Sequence, residues 1–257
     1  MTTALLLARA AFMQTLRSRS VIGYSLAWAG LIAATTLFSG DAMNATLTIV
    51  SFQLLIVPLV TLMLVSLQHY NNREFTELLL AQPIRRSAYY WGQWFGVSVA
   101  LSFMHAIPIV GGYAIWQKYN VLLLCSSGIV LTLTFSSLAY RIAVGQPDKA
   151  RGIGIALLVW LYCAMIYDAV IVVVMALLQD YPLENILLVL LALNPIDAIR
   201  VAVLLQTDTA ALMGVTGAYL RAFFGTDKSL FAIATVVTVW IGYPLVRGQR
   251  IFRIRDF

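Results

Sequence analysis

The sequence predicts an all-α polytopic membrane protein. It has six transmembrane helices, an amphipathic interface helix before the first span, and a short cytoplasmic helix between the second and third. Three observations lead there. Hydrophobic residues make up 61% of the 257-residue chain and charged residues 11%, against about 25% charged in an average soluble domain. The apolar residues gather in charge-free runs of about 20, the length that crosses a ~30 Å hydrocarbon core. Lys and Arg are divided very unevenly among the stretches between those runs. The net charge of +6 is therefore an orientation signal and not a nucleic-acid footprint.

Residues 4–19 come first. Leu5, Ala8, Phe12 and Leu16 recur at helical spacing, with Arg9, Arg17 and Arg19 elsewhere. That is the pattern of an amphipathic helix in the membrane interface; an extension of the first span is the other reading. The first residues contain Ala-Arg-Ala but no basic leader, and their apolar run is too short for a cleaved signal. Insertion is expected to use the first span.

The spans are predicted at about 21–38, 46–67, 91–115, 121–140, 152–178 and 229–246. Pro58 falls inside the second, where a proline is tolerated as a kink. Asp168 is the one charge inside the fifth. Residues 186–193 are too short to span; with 194–205 they read as a buried or re-entrant segment at the membrane edge. The stretch 179–228 is the longest non-spanning region. Gly92 and Gly96 form a Gly-x-x-x-Gly at the start of the third span, which permits close helix contact. Most tryptophans lie near span ends, as interface anchors do. No linker, low-complexity tract or clear internal repeat is visible, so residues 1–257 read as a single transmembrane domain.

Six spans put both termini on one side. That side carries Arg9, Arg17, Arg19, Arg73, Arg85, Arg86, Arg141, Lys149, Arg151, Arg247, Arg250, Arg253 and Arg255. The other carries Lys118, Arg200, Arg221 and Lys228. An excess of Lys and Arg marks the cytoplasmic face, so both termini are expected in the cytoplasm. The loop at 69–90 is then cytoplasmic, and 179–228 faces outward. The expected location is a bacterial cytoplasmic (inner) membrane.

The 69–90 loop is the main polar interruption in the first half of the chain. Its middle, Phe75 to Gln82, reads as a short amphipathic helix stopped by Pro83. Leu78, Leu79 and Leu80 are flanked by Glu74, Glu77, Arg85 and Arg86. Such a helix either lies on the membrane surface or docks into a groove of a partner, with the charges setting register.

Motifs of soluble enzymes are absent. There is no Gly-x-x-x-x-Gly-Lys-Ser/Thr, so the chain has no P-loop of its own for ATP. There is also no His-Glu-x-x-His, Gly-x-Ser-x-Gly or Cys-x-x-Cys. Cys125 and Cys163 fall in apolar runs and read as packing. A copper or zinc site from His105, the two cysteines and the eight methionines stays open beside that reading. Asp168 is costly within a span and needs a partner or a role. Counted from Gly152 at 1.5 Å per residue it sits ~24 Å along the helix, in the outer part of the core. Arg200 is the candidate counter-charge. Asn194 before Pro195 makes a turn or helix start. Asp197 suits the positive end of that helix, and Asp197 and Arg200 are i, i+3 neighbours. This cluster is either a cap holding an outer loop or a gate or docking surface.

The run Glu77-Leu78-Leu79-Leu80-Ala81-Gln82-Pro83-Ile84-Arg85-Arg86, before a Gly-containing span, resembles the coupling-helix region of ABC-2 type transporter permeases. Thr76, the leucines and Pro83 match the family motif. Its usual Gly is absent, and Asn71 and Asn72 stand where acids are common. The second half resembles the branch of the family that serves maturation of nitrous oxide reductase. The matching residues are Lys149, Gly154, Trp160 and Asp168, then Asn194, Pro195, Asp197 and Arg200, then the Arg-rich tail.

The resemblance implies a homodimer of permease subunits, each docking a separate cytoplasmic ATPase through Glu74, Glu77, Leu78, Leu79, Pro83, Arg85 and Arg86. ATP and Mg²⁺ would be held by the ATPase and no cofactor by this chain. A periplasmic β-helical partner would sit on the outer face, and ATP-driven motion would support delivery of sulfur species or copper to the reductase. The alternatives are an ABC-2 exporter of another solute (a lipid, drug or peptide) and, from another class, a membrane assembly scaffold with no ATPase.

Overall fold

The computed structural model describes residues 3–177, 193–206 and 214–254. Every regular element among the described residues is helical. In chain order these are α1 (Thr3–Leu16), α2 (Arg19–Phe38), α3 (Ala42–Asn71), α4 (Arg73–Leu80), α5 (Arg86–Trp116), α6 (Val121–Gly145) and α7 (Lys149–Leu161). A π-helical turn (Tyr162–Ile166) then leads into α8 (Tyr167–Leu177), followed by α9 (Pro195–Leu205) and α10 (Gly214–Ile254). Among the described residues, six helices are long and apolar enough to cross a membrane: Arg19–Phe38, Ala42–Asn71, Arg86–Trp116, Val121–Gly145, Lys149–Val174 and Phe231–Ile254. The protein is an all-α polytopic membrane protein.

The helices overrun the charge-free runs because nothing in the chain stops them there. α3 continues through Gln68–Asn71 and ends only where Asn72 departs from helical geometry. α10 begins at Gly214, well before the expected start of the sixth span at Ser229. Pro58, Pro108 and Pro244 all sit inside helices. Residues 178–192, part of the expected outer region, lie outside the described residues, as do 207–213.

The chain divides into two compact units, Met1–Leu158 with Ile241–Phe257, and Val159–Trp240. In the first, α5 is the central helix: α1, α2 and α6 all pack on it, and α3 packs on α6. α1 packs on α5 through its small residues. Its buried residues are Ala8, Ala11 and Thr15, while Leu5, Leu6 and Met13 are exposed. The small residues win that face because α5 offers glycine opposite them. A Cβ on Gly96 would run into the carbonyl oxygen of Ala8 and lie 2.8 Å from the Ala11 Cβ. The Gly-x-x-x-Gly is thus filled by this chain's own first helix.

Trp28 falls in the middle of its span. It is not an interface anchor but is buried in mid-span, its ring 5.1 Å from that of His105. His105 is itself fully buried, its Nδ1 2.8 Å from the Tyr24 hydroxyl, and its ring lies directly against Gly128. Nearby on α3, Gln53 donates to the Ser127 hydroxyl at 2.7 Å. These polar side chains tie α2 to α5 and α3 to α6 where no water can serve them. Cys163 is buried and Cys125 half-buried, and both are free thiols. Among the described residues no three His, Cys, Asp or Glu side chains converge on a metal position.

Candidate functional site

Two clusters carry the site residues singled out from the sequence, one in each unit. The first surrounds α4. Its eight residues start at Arg73, directly after the single break at Asn72, and end at Leu80. That is two residues earlier at each end than the expected 75–82. Thr76 explains the early start: its hydroxyl donates to the Asn72 carbonyl at 2.8 Å. Gln82 already bonds the Leu79 carbonyl in a tighter turn, and Pro83 closes the segment.

α4 has one buried residue, Thr76, whose hydroxyl also lies 2.6 Å from that of Tyr89. The opposite side is apolar and open. Phe75 is 53% and Leu78 70% exposed, while Leu79 is half-buried. Arg73 and Glu77 pair along the helix at 3.0 Å. Glu74, Pro83, Arg85 and Arg86 are exposed.

Several bonds then tie α4 and its flanks to the rest of the unit. Arg73 donates to the Pro147 carbonyl at 3.2 Å, and Lys149 to the Asn71 side chain at 2.9 Å. Gln14 donates to Asn72 at 2.8 Å, and Arg86 to the Arg253 carbonyl at 3.0 Å. Tyr90 donates to the Leu245 carbonyl at 3.0 Å, with Phe252 stacked on Tyr89.

The result is a hub. The short helix, the α6–α7 turn, the first helix and the last helix all meet at one arginine-rich end of this unit. Tyr89 and Tyr90 are residues that sequence reasoning missed. Their only signal was a tyrosine pair following the arginine pair, and nothing in that spacing names Thr76 or Leu245 as partners.

The second cluster lies in the other unit. Asn194 caps α9: its Oδ1 accepts from the Ile196 N–H at 3.1 Å. Pro195 takes the first helical position, where its missing N–H costs nothing. The Asn194 amide donates to the Asp197 carboxylate at 2.8 Å and to the Cys163 carbonyl at 2.8 Å. Cys163 belongs to the π-helical turn. The bond to Asn194 satisfies its backbone oxygen within an apolar run.

Arg200 lies 2.7 Å from Asp197 and 3.2 Å from Asp168. The structure therefore brings together all four residues, Asp168, Asn194, Asp197 and Arg200. One guanidinium stands between two carboxylates, so the three charges sum to −1. Asp197 is almost wholly buried and Asn194 fully so, whereas Arg200 and Asp168 are partly open. Burial pushes the Asp197 carboxyl up to about 6, with Arg200 drawing it down and Asp168 pushing it up. Membrane depth named Arg200 as the partner of Asp168 but did not foresee Cys163, because a π-helical turn has no signature in residue type.

No family model matches the chain. Two curated proteins are similar to it over nearly its whole length. One is the "Probable ABC transporter permease protein NosY" of Pseudomonas aeruginosa, 24% identical over 251 residues, covering 92% of this chain and 89% of that protein. The other, of the same name, is from Stutzerimonas stutzeri and is 24% identical over 255 residues with the same coverage. The chain thus resembles ABC transporter permeases of the NosY kind.

Proposed function

We propose that the chain is the membrane-spanning permease subunit of an ABC transporter, without an ATPase motif of its own, coupling a cytoplasmic ATPase to transport or motion at the outer face. The observation that carries this reading is the likeness to two NosY permeases, which extends over 92% of the chain. α4 supports it independently. An eight-residue helix with Phe75 and Leu78 exposed on one side, and itself bonded to α5 and to the α6–α7 turn, suits a partner that pushes. The partner is an ABC ATPase that holds ATP and Mg²⁺, docked through Glu74, Glu77, Leu78, Leu79, Pro83, Arg85 and Arg86. We place the arginine-rich end and both termini in the cytoplasm of a bacterial inner membrane, and two copies of the chain side by side.

The finer reading is that this transporter serves maturation of the copper site of nitrous oxide reductase. Closure of the ATPase would press on α4, and the hub would pass the displacement to α5, α6 and α10. The Asp168–Arg200 cluster, with a periplasmic β-helical partner, would be the receiving end.

The test is purification of the chain from its native membrane in mild detergent, with mass spectrometry and an ATPase assay. A co-purifying P-loop ATPase is expected, with association lost on Leu79→Ala combined with Arg85→Ala. Cells lacking the chain are expected to make nitrous oxide reductase without its full copper complement. An ATPase with normal reductase copper would leave an exporter of another solute. Absence of any ATPase would leave an assembly scaffold.

A further inference from the structure

An apolar groove of about 650 Å³ lies between α2 and α3. On α2 it runs from Ser20 to Leu31, about 16 Å at 1.5 Å per residue. That is half of a ~30 Å hydrocarbon core, the depth of one leaflet. Gly23 and Ala27, one turn apart, form the notch, and a Cβ on Gly23 would meet nothing within 4 Å. Ser20 marks one end, and Arg17 and Arg19, both exposed, stand immediately beyond it. Neither arginine pairs with a carboxylate among the described residues.

We infer that this groove binds one anionic phospholipid, with an acyl chain against Gly23 and Ala27 and its phosphate at Arg17 and Arg19. Three features select the lipid. The groove ends after one leaflet, as an acyl chain does, whereas a spanning helix of a second copy would need the whole core. Its lining is apolar apart from the end next to the arginines. Arg17 and Arg19 are exposed at the end of α2 next to Ser20, where a span meets the headgroups, and guanidinium binds phosphate through paired N–H donors. The inference goes beyond the permease reading and does not depend on it.

The test is native mass spectrometry of the full chain, delipidated in mild detergent and supplied with phosphatidylglycerol or with phosphatidylcholine of the same acyl chains. One retained phosphatidylglycerol per chain is expected. Gly23→Leu combined with Ala27→Phe should abolish it by filling the notch. Arg17→Gln combined with Arg19→Gln should weaken phosphatidylglycerol binding by about thirtyfold, each surface arginine contributing roughly fivefold to anionic-lipid binding. The arginine pair is exposed, so this second variant is read on a folded protein. Equal retention of the two lipids by the unaltered chain overturns the inference, as does undiminished retention in the filled variant. Oxidative cross-linking of Gly23→Cys between two chains also overturns it and assigns the groove to a second copy.

Discussion

The Thr76 and Tyr89 hydroxyls lie 2.6 Å apart, joining α4 to the first turn of α5 across the Pro83 turn. Both side chains are buried, so the bond is shielded from water and holds a helix that is otherwise mostly exposed.

Removing that bond tests whether α4 acts as a lever. Tyr89→Phe keeps the ring stacked on Phe252 and leaves Thr76 bonded to Asn72. A loss of about 1 kcal/mol is expected, the usual value of one hydrogen bond. Hydrogen exchange over residues 73–82 should rise while the rest of the unit stays protected. If motion passes through α4, transport falls with the ATPase still attached.

The exposed side of α4 should separate docking from folding. Leu78→Asp changes a side chain that is 70% exposed and is expected to move thermal stability by no more than about 0.5 kcal/mol. Co-purification of the ATPase should drop sharply. A parallel Leu122→Asp, at another exposed apolar position, should leave that association intact.

The approach of α1 to α5 makes a packing prediction. Gly96→Val places carbon where the Ala8 carbonyl oxygen and the Ala11 Cβ now lie. The backbone of α1 cannot yield as a flexible side chain would, so a loss of about 1–3 kcal/mol is expected. Gly30→Ala, at a site with nothing within 4 Å, should be close to neutral. Denaturation followed by intrinsic fluorescence would compare the two.

The buried Asp197 predicts a pH dependence with a definite sign. Its carboxyl titrates at about 6 in the folded chain against an ordinary 3.8, so the folded state binds the extra proton between those values. Its stabilising contribution is complete below about pH 4 and is lost as pH rises through 6. Thermal melts from pH 4 to 7.5 should therefore show a decline with rising pH. Asp197→Asn, which keeps a hydrogen-bond partner for Asn194, should remove it.

The residues differ in how openly they declared their place. Six spans, the Pro83 stop and the Asp197–Arg200 spacing follow from local rules. Twenty apolar residues need a bilayer, proline cannot extend a helix, and i, i+3 side chains share a face. Arg200 could be named for Asp168 because so few charges share that depth. The helix limits of α3 and α10 escaped the same rules, since hydropathy marks where a membrane ends and not where a helix does.

What the sequence by itself determined is therefore the class of molecule, the order of its spans and the existence of a short amphipathic helix before Pro83, expected at 75–82 and found at Arg73–Leu80. Only the tertiary structure decided which surfaces meet. Glycine at 92 and 96 permits any close neighbour, and folding chose α1 because Ala8 and Ala11 are small enough to reach it. Trp28 lies mid-span, and only packing shows that it faces His105 in the core. Thr76 and Tyr89, and Asn194 and Cys163, are joined because packing brings separate helices within reach of each other at those points. Hydrogen-bond partners distant in the chain are fixed by packing geometry and leave no periodic trace in the order of residues.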